Sequence, residues 1–228
     1  MGRTKTYLEK RNTLGLAPKQ HMPLPDAVKK LKAVAREWES VDVAVRLGVD
    51  PRKADQNVRG TIILPHGTGR SPRVAVFTKG EKETEAKDAG ADLVGLEDLI
   101  AQVQKGVIDF DIAIATPDVM KEVSKVAKIL GPRGLMPNPK SGTTTPDVVN
   151  AIKEFKAGKV NFRVEKAGII HATVGKGAFN EDQLRENIEY LLTEILRLRP
   201  ASAKGQYIRS IALSSTQSPG VRVDPQSL

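Results

Sequence analysis

Cysteine is absent from this 228-residue chain. That excludes disulfides, thiolate metal sites and thiol nucleophiles together. Histidine is scarce: only His21, His66 and His171 occur, none with a second histidine or a carboxylate at zinc-ligand spacing. The G-x-S-x-G nucleophile elbow is missing as well. One Trp, three Tyr and five Phe are too few for a module that stacks several bases on exposed rings. No apolar run approaches the ~18 residues that span a bilayer. The opening MGRTKTYLEKR carries no apolar core of the secretory-signal kind. These absences predict a soluble cytoplasmic protein with no membrane partner, and they leave no catalytic or metal-ligating constellation in view.

What is present is positive charge, and it is unevenly placed. Lys and Arg number 36 against 27 Asp and Glu, a net charge of +9. Residues 1–66 hold 13 basic and 7 acidic residues, and residues 158–228 hold 10 and 7. Residues 67–157 hold 13 of each. The whole excess therefore lies in the two ends. A basic surface concentrates polyanions and supplies the salt-sensitive part of nucleic-acid affinity, although solubilising charge accounts for it equally well.

The neutral middle alternates between short apolar runs and helical patterns. Val74–Thr78, Ala91–Val94 and Phe110–Ala115 read as strands, and 81–89 and Leu96–Gln104 as helices. Pro117 opens a helix through Leu130, and Thr145-Pro146-Asp147 opens another. Such alternation implies a mostly parallel sheet with helices packed on it.

The flanks follow another rule. Leu24, Val28, Leu31, Val34, Ala35 and Trp38 recur at helical spacing. Val41, Val43, Val45 and Leu47 alternate with Asp42, Ala44 and Arg46, the period of a half-buried strand. Thr61–Leu64 reads as a further strand. Val160, Phe162 and Val164 form one arm of a hairpin, with Ile169–Val174 as the other. Asn180 and Gln183 make a capping box for a helix to about Arg199, with Leu184, Ile188, Leu191, Ile195 and Leu198 inward. Tyr207–Ser214 and Val221–Val223 read as closing strands.

Neither flank makes a domain alone. The fold class expected is α/β: residues 1–66 and 158–228 form one basic two-layer α+β domain, interrupted by a neutral α/β domain over 67–157. Chain crossings near Gly67 and Gly158 would form a paired hinge between them.

The α/β middle invites a nucleotide reading, but its fingerprints fail. Gly67-Thr68-Gly69-Arg70-Ser71-Pro72 lacks the third glycine of a dinucleotide loop and precedes its strand. Lys140-Ser141 follows Pro139, which cannot donate an amide hydrogen as a P-loop glycine does.

Four long segments carry a specific resemblance. They are Gly48-Val49-Asp50-Pro51-Arg52-Lys53-Ala54-Asp55-Gln56-Asn57-Val58-Arg59-Gly60, Leu64-Pro65-His66-Gly67-Thr68-Gly69, Gly131-Pro132-Arg133-Gly134-Leu135-Met136-Pro137-Asn138-Pro139-Lys140 and Lys204-Gly205-Gln206-Tyr207-Ile208-Arg209-Ser210. In order and spacing they resemble the signature segments of the bacterial L-one family of large-subunit ribosomal proteins. The resemblance covers essentially the whole chain. It implies a discontinuous first domain that binds a stalk region of large-subunit rRNA, and an inserted Rossmann-like second domain. It also implies movement and release of deacylated exit-site tRNA, repression of the protein's own operon mRNA, and contact with other ribosomal components. It implies no catalytic activity and no required cofactor, and the free protein would be a monomer.

Carried over by position, the resemblance places Trp38, Ser40, Arg163, Glu165, Lys166, His171, Ser210, Thr216, Gln217 and Ser218 on the rRNA- and mRNA-binding face. Taken by itself, His171 on an apolar strand reads more simply as a core or edge packing position. The 216–218 turn departs from the family's usual Thr-Met-Gly, and Trp38 stands where Phe is usual. Three readings stay open: a ribosomal RNA-binding protein, a stand-alone RNA-binding regulator of the same fold, and a nucleotide-dependent enzyme.

Overall fold

The computed structural model describes residues 4–15 and 20–227. In chain order, α1 (Lys5–Leu14), β1 (His21–Met22), α2 (Leu24–Val34), β2 (Ser40–Leu47) and β3 (Arg59–Ile63) come first. Next follow β4 (Val74–Phe77), α3 (Glu81–Asp88), β5 (Leu93–Gly95), α4 (Glu97–Gln104), β6 (Ile112–Ala115), α5 (Met120–Val123), α6 (Ala127–Leu130) and α7 (Val148–Lys156). The chain ends with β7 (Lys159–Arg163), β8 (Ile169–Lys176), α8 (Glu181–Arg197), β9 (Ile208–Ser215) and β10 (Val221–Val223). It divides into two compact units: Met1–Arg70 with Val160–Leu228, and Ser71–Lys159.

The first unit is built on a five-stranded sheet in the order β1-β10-β9-β2-β8. All its pairings are antiparallel except β1 with β10. Strand β2 shows how the sheet is sided. Val41, Val43, Val45 and Leu47 are buried, whereas Ser40, Asp42, Ala44 and Arg46 between them are not. Successive side chains point to opposite faces, so one face joins the core and the other stays open. Helices α2 and α8 supply the covering layer through Leu24, Ala27, Val28 and Leu31 and through Leu184, Ile188, Leu191 and Ile195. The α8 capping box forms: the Asn180 N–H donates to Gln183 Oε1 at 2.9 Å, and the Asn180 side chain accepts in return.

The second unit is covered on both faces. Its parallel sheet has the order β5-β4-β6. Every residue of β4 is buried: Val74 and Val76 pack with Ile152 and Phe155 of α7, while Ala75 and Phe77 pack with Leu99 and Val103 of α4. A strand buried on both faces is apolar throughout, which is why Val74-Ala75-Val76-Phe77 shows no alternation.

Several elements differ from the sequence expectation. Helix α2 stops at Val34, where Ala35 turns extended, and Trp38 is 62% exposed. The Glu39 N–H closes a tight turn onto the Arg36 carbonyl at 3.0 Å, which carries Trp38 out of the helical stripe. Strand β7 pairs with β3 in a separate two-stranded sheet, so the anticipated hairpin with β8 shrinks to the single Val164–Ile170 bridge. The Pro117–Leu130 helix is broken into α5 and α6 with 3-10 turns at Pro117–Val119 and Ser124–Val126. The Ser124 hydroxyl donates to the Met120 carbonyl at 2.7 Å, a back-bond that bends helices. Even so, Val119, Val123, Val126 and Leu130 all stay buried. Leu198 lies beyond the end of α8 and is exposed rather than inward.

Candidate nucleic-acid interface

The open face of the five-stranded sheet gathers most of the residues singled out in the sequence. Register fixes their order. Ser40 lies opposite Lys176, and Asp42 lies between Thr173 and Ser214. Ala44 lies between His171 and Ala212, and Arg46 between Ile169 and Ser210. Arg222 and His21 extend the row beyond Ala212. From Ser40 to Arg46 the band runs ~20 Å along one strand. Its side chains are mostly short hydroxyls and methyls, with Ile169, two histidines, the long cations Lys176, Arg46 and Arg222, and one carboxylate, Asp42. That surface lets a rigid backbone approach closely and meets it with donors.

One end of the band is a tightly bonded corner. The Thr216 N–H donates to the Ser40 carbonyl at 3.2 Å, and Thr216 Oγ1 accepts from the Ser40 N–H at 3.3 Å. Thr216 is exposed, and its own hydroxyl proton remains available to a partner from solvent. Ser218 closes the turn: its Oγ accepts from the Ser215 N–H at 2.8 Å and donates to the Pro219 carbonyl at 3.2 Å. The hydroxyl at 218 thus serves the turn first. Gln217 between them has φ +58, the only positive value among the described non-glycine residues. This left-handed conformation sends its exposed amide into solvent.

Behind this corner lies a buried ion pair. Lys10 Nζ donates to Glu39 Oε1 at 2.7 Å and to Oε2 at 2.5 Å, with side chains 8% and 2% exposed. The same ammonium donates to the Thr216 carbonyl at 3.0 Å and reaches Ser215 Oγ at 3.5 Å. The backbone of the Trp38 turn is held as well, by Gly177 N–H to the Glu39 carbonyl at 2.9 Å and Ala178 N–H to the Glu37 carbonyl at 3.0 Å. Gly177 is required there, since a Cβ would come within 2.1 Å of the Arg36 carbonyl oxygen.

The other end of the band is the turn between β7 and β8. Arg163, Glu165 and Lys166 are exposed there and line an open groove of about 570 Å³ with Pro51, Asn57, Val164 and Ala167. His171 is also exposed, its Nε2 3.9 Å from Glu165 Oε2. Of the core and edge alternatives for this histidine, the core one fails: it sits at an outward position of the edge strand β8, where neighbouring Ile170 and Ala172 are the buried ones. The ten residues fall into two clusters joined by a face. Trp38, Ser40, Thr216, Gln217 and Ser218 share one end, Arg163, Glu165 and Lys166 the other, with His171 and Ser210 between.

Sequence reasoning passed over Arg46, Asp42 and Thr173 as surface residues of this face. Asp42 Oδ1 accepts from the Thr173 hydroxyl at 2.6 Å, so this pair holds the middle of the face. The outward phase of β2 was signal enough to find Asp42 and Arg46. Lys10 carried no such signal, because its partner lies 29 residues away.

In the second unit, a cleft of about 300 Å³ opens at the carboxyl ends of β4 and β6, lined by Thr78, Lys79, Lys82, Thr116, Asp118 and Val119. Open α/β sheets take ligands at such points. Here, however, the Lys79 ammonium is already bonded to Glu122 at 2.8 Å, a bond that raises its pKa above the ordinary lysine value. Among the described residues no group of three His, Asp or Glu is arranged to hold a metal ion, and no helix is long and apolar enough to cross a membrane.

Fold and face together define a mixed α/β protein organised around one open, hydroxyl- and cation-bearing sheet face. The sequence model of the Ribosomal protein L1p/L10e family matches residues 27–219, and the chain belongs to that family, one of ribosomal proteins and not of enzymes. The large ribosomal subunit protein uL1 of Actinobacillus succinogenes is 57% identical over 202 residues, covering 89% of this chain and 88% of that protein. Its counterpart from Chlorobium luteolum is 60% identical over 202 residues, covering 88% of each.

Proposed function

We propose that this protein is an RNA-binding structural constituent of the cytoplasmic large ribosomal subunit, and that the open face of its first unit holds a stalk helix–loop of large-subunit rRNA. One observation carries this reading: the face built from Ser40, Arg46, His171, Ser210 and Thr216 lies on the unit that holds the entire excess charge. That unit has 23 Lys and Arg against 14 Asp and Glu, whereas the second has 13 of each. Hydroxyls and backbone groups along the band suit phosphates and 2′-hydroxyls, and the long cations at its ends suit phosphate. Base stacking has a minor part, with Trp38 as the one exposed aromatic near the band.

The same face accommodates the other partners that family membership suggests. An mRNA that folds like the rRNA stalk would compete for it, giving repression of the protein's own operon. Movement and release of deacylated tRNA at the exit site would follow from carrying the stalk, with no chemistry asked of the protein. The test is retention on large subunits after a high-salt wash, with titration of a transcript of the stalk helix–loop. Retention and a steep loss of transcript affinity with salt are the expected results. A protein that washes off and ignores the transcript overturns the reading.

A further inference from the structure

We propose that Lys10 is a positioning residue for RNA binding: through the buried Lys10–Glu39 pair, helix α1 sets the corner that presents Trp38, Ser40 and Thr216. The inference rests on the RNA-binding reading of that corner. It also extends the site to a helix outside residues 27–219, the span that matches the family.

The geometry gives Lys10 two tasks at once. Its ammonium neutralises Glu39, whose carboxylate Oε2 also accepts from the Arg36 N–H at 3.4 Å and so fixes both ends of the Trp38 turn. Its remaining donor capacity goes to the Thr216 carbonyl, on the peptide that leads into the strained Gln217. Two segments far apart in sequence, 36–40 and 215–218, which carry the exposed Trp38 and Thr216, are thus tied to one buried nitrogen. Helix α1 contributes little else: Lys10 and Leu14 are its buried residues. A lysine buried on an otherwise polar helix is costly to desolvate and is retained only where its pairing is complete. Apolar packing alone would be the simpler way to dock α1. The ammonium fits a need that packing cannot meet, which is to hold a carbonyl and a carboxylate at fixed separation.

A structural role and a positioning role separate in one variant. Lys10→Met with Glu39→Leu replaces the pair by apolar groups, an exchange that often leaves stability nearly unchanged. It nevertheless removes the tether on the Thr216 carbonyl and on the Trp38 turn. Trp38 is the only tryptophan, so its fluorescence anisotropy reports on the corner without RNA. The expected result is a melting temperature near that of the wild type, lower Trp38 anisotropy, and about tenfold weaker binding of the stalk transcript with an unchanged salt slope. Unchanged anisotropy overturns the proposal whether or not the wild type binds RNA. Wild-type affinity in a stable double variant overturns it too. A salt slope reduced by one would show that Lys10 meets phosphate directly, which also overturns it. Should the double variant melt early, Lys10→Arg decides: affinity within about threefold of wild type supports the tether, and a tenfold loss in a stable protein removes it. If the wild type itself ignores the transcript, the RNA-binding reading fails, and the anisotropy comparison still judges the tether.

Discussion

The two units use the same materials, short strands and amphipathic helices, and finish their sheets differently. In the first, one face of a mostly antiparallel sheet is left open. In the second, helices cover a parallel sheet on both sides. The charge follows the same division, with the whole excess on the unit whose sheet is open. An open face must be polar to remain in water, so its residues are free to be chosen for a partner. A doubly covered sheet offers only its strand ends and helix surfaces. The comparison teaches that one unit commits both faces of its sheet to packing, while the other leaves a face and the net charge uncommitted.

The most severe way to break this comparison is to unfold the second unit alone. Phe77 is fully buried and meets Phe110 edge-on, with ring centroids 6.2 Å apart. Phe77→Ala should cost about 3–5 kcal/mol of that unit's stability, from lost transfer energy and the cavity left behind. Calorimetry should show the transition of the second unit moving down sharply, while stalk-transcript affinity stays within a few-fold. A matching collapse in affinity would show that binding is shared between the units.

A smaller effect sharpens the comparison through salt. Arg46 and Lys166 are exposed at one end of the open face, and Lys125 is an exposed lysine of the second unit. Arg46→Ala and Lys166→Ala should each weaken transcript binding several-fold and lower the salt slope by about one. Lys125→Ala should change neither. Equal slopes for all three variants would mean that the charge excess only solubilises the protein.

Thr216→Val makes a different cut. It removes an acceptor from the Ser40 N–H and a free donor from the face, so ~1–3 kcal/mol of affinity for the stalk site should be lost with little change in slope. Thr216→Ser keeps both groups and should bind nearly as the wild type. Loss of thermal stability without loss of affinity would reduce Thr216 to a cap on β2.

Much of this was legible in the sequence wherever the signal was local. The β2 alternation, the apolar β4 run and the Asn180–Gln183 box each predict an element that forms. The α/β class follows from them. Local periodicity misplaced Trp38, because Ala35 turns extended and the Glu39 N–H closes a turn onto the Arg36 carbonyl, a turn whose Glu39 side chain is paired with Lys10 on another helix. The pairing of β7 with β3 was hidden for a related reason: two adjacent strands with a short turn suggest a hairpin, and only long-range packing decides otherwise. Helix α1 went unread because its exposed faces carry no apolar stripe. Asn187 is a further case. It is fully buried, accepting from the His66 N–H and donating to the Gly67 and Val174 carbonyls, yet a lone Asn in a helix pattern announces nothing. Of the candidate face, the resemblance supplied the ten proposed residues and the β2 phase supplied the sidedness. The buried tether beneath them belongs to tertiary structure.

The smallest expected effect compares the units at a finer grain, through their buried hydroxyls. Among the described residues each unit has one such hydroxyl with no hydrogen-bond partner: Tyr207 in the first and Thr78 in the second. Threonine does not titrate, but tyrosine does. Burial pushes the Tyr207 pKa from 10.0 up to about 12, with the Arg199 guanidinium 5.8 Å from the ring opposing it only in part. The folded state therefore keeps this proton after the unfolded chain has released it. Where the native state binds more protons, stability falls as pH rises, so the contribution is intact below pH 10 and is lost progressively toward pH 12. Tyr207→Phe removes the titrating group and the unpaired oxygen together. At neutral pH it should leave stability unchanged or slightly raised, because no bond is lost. At pH 11 it should spare roughly 1 kcal/mol of the alkaline loss that the wild type shows. Denaturant titrations of both proteins at pH 7, 10 and 11 measure the difference directly, with other alkaline titrations common to both. Parallel pH profiles would mean that the Tyr207 hydroxyl finds solvent or a partner in the folded protein. The affinity of the open face for RNA should not respond to this substitution at neutral pH, because Tyr207 is buried just before β9 and contributes nothing to the outward rows.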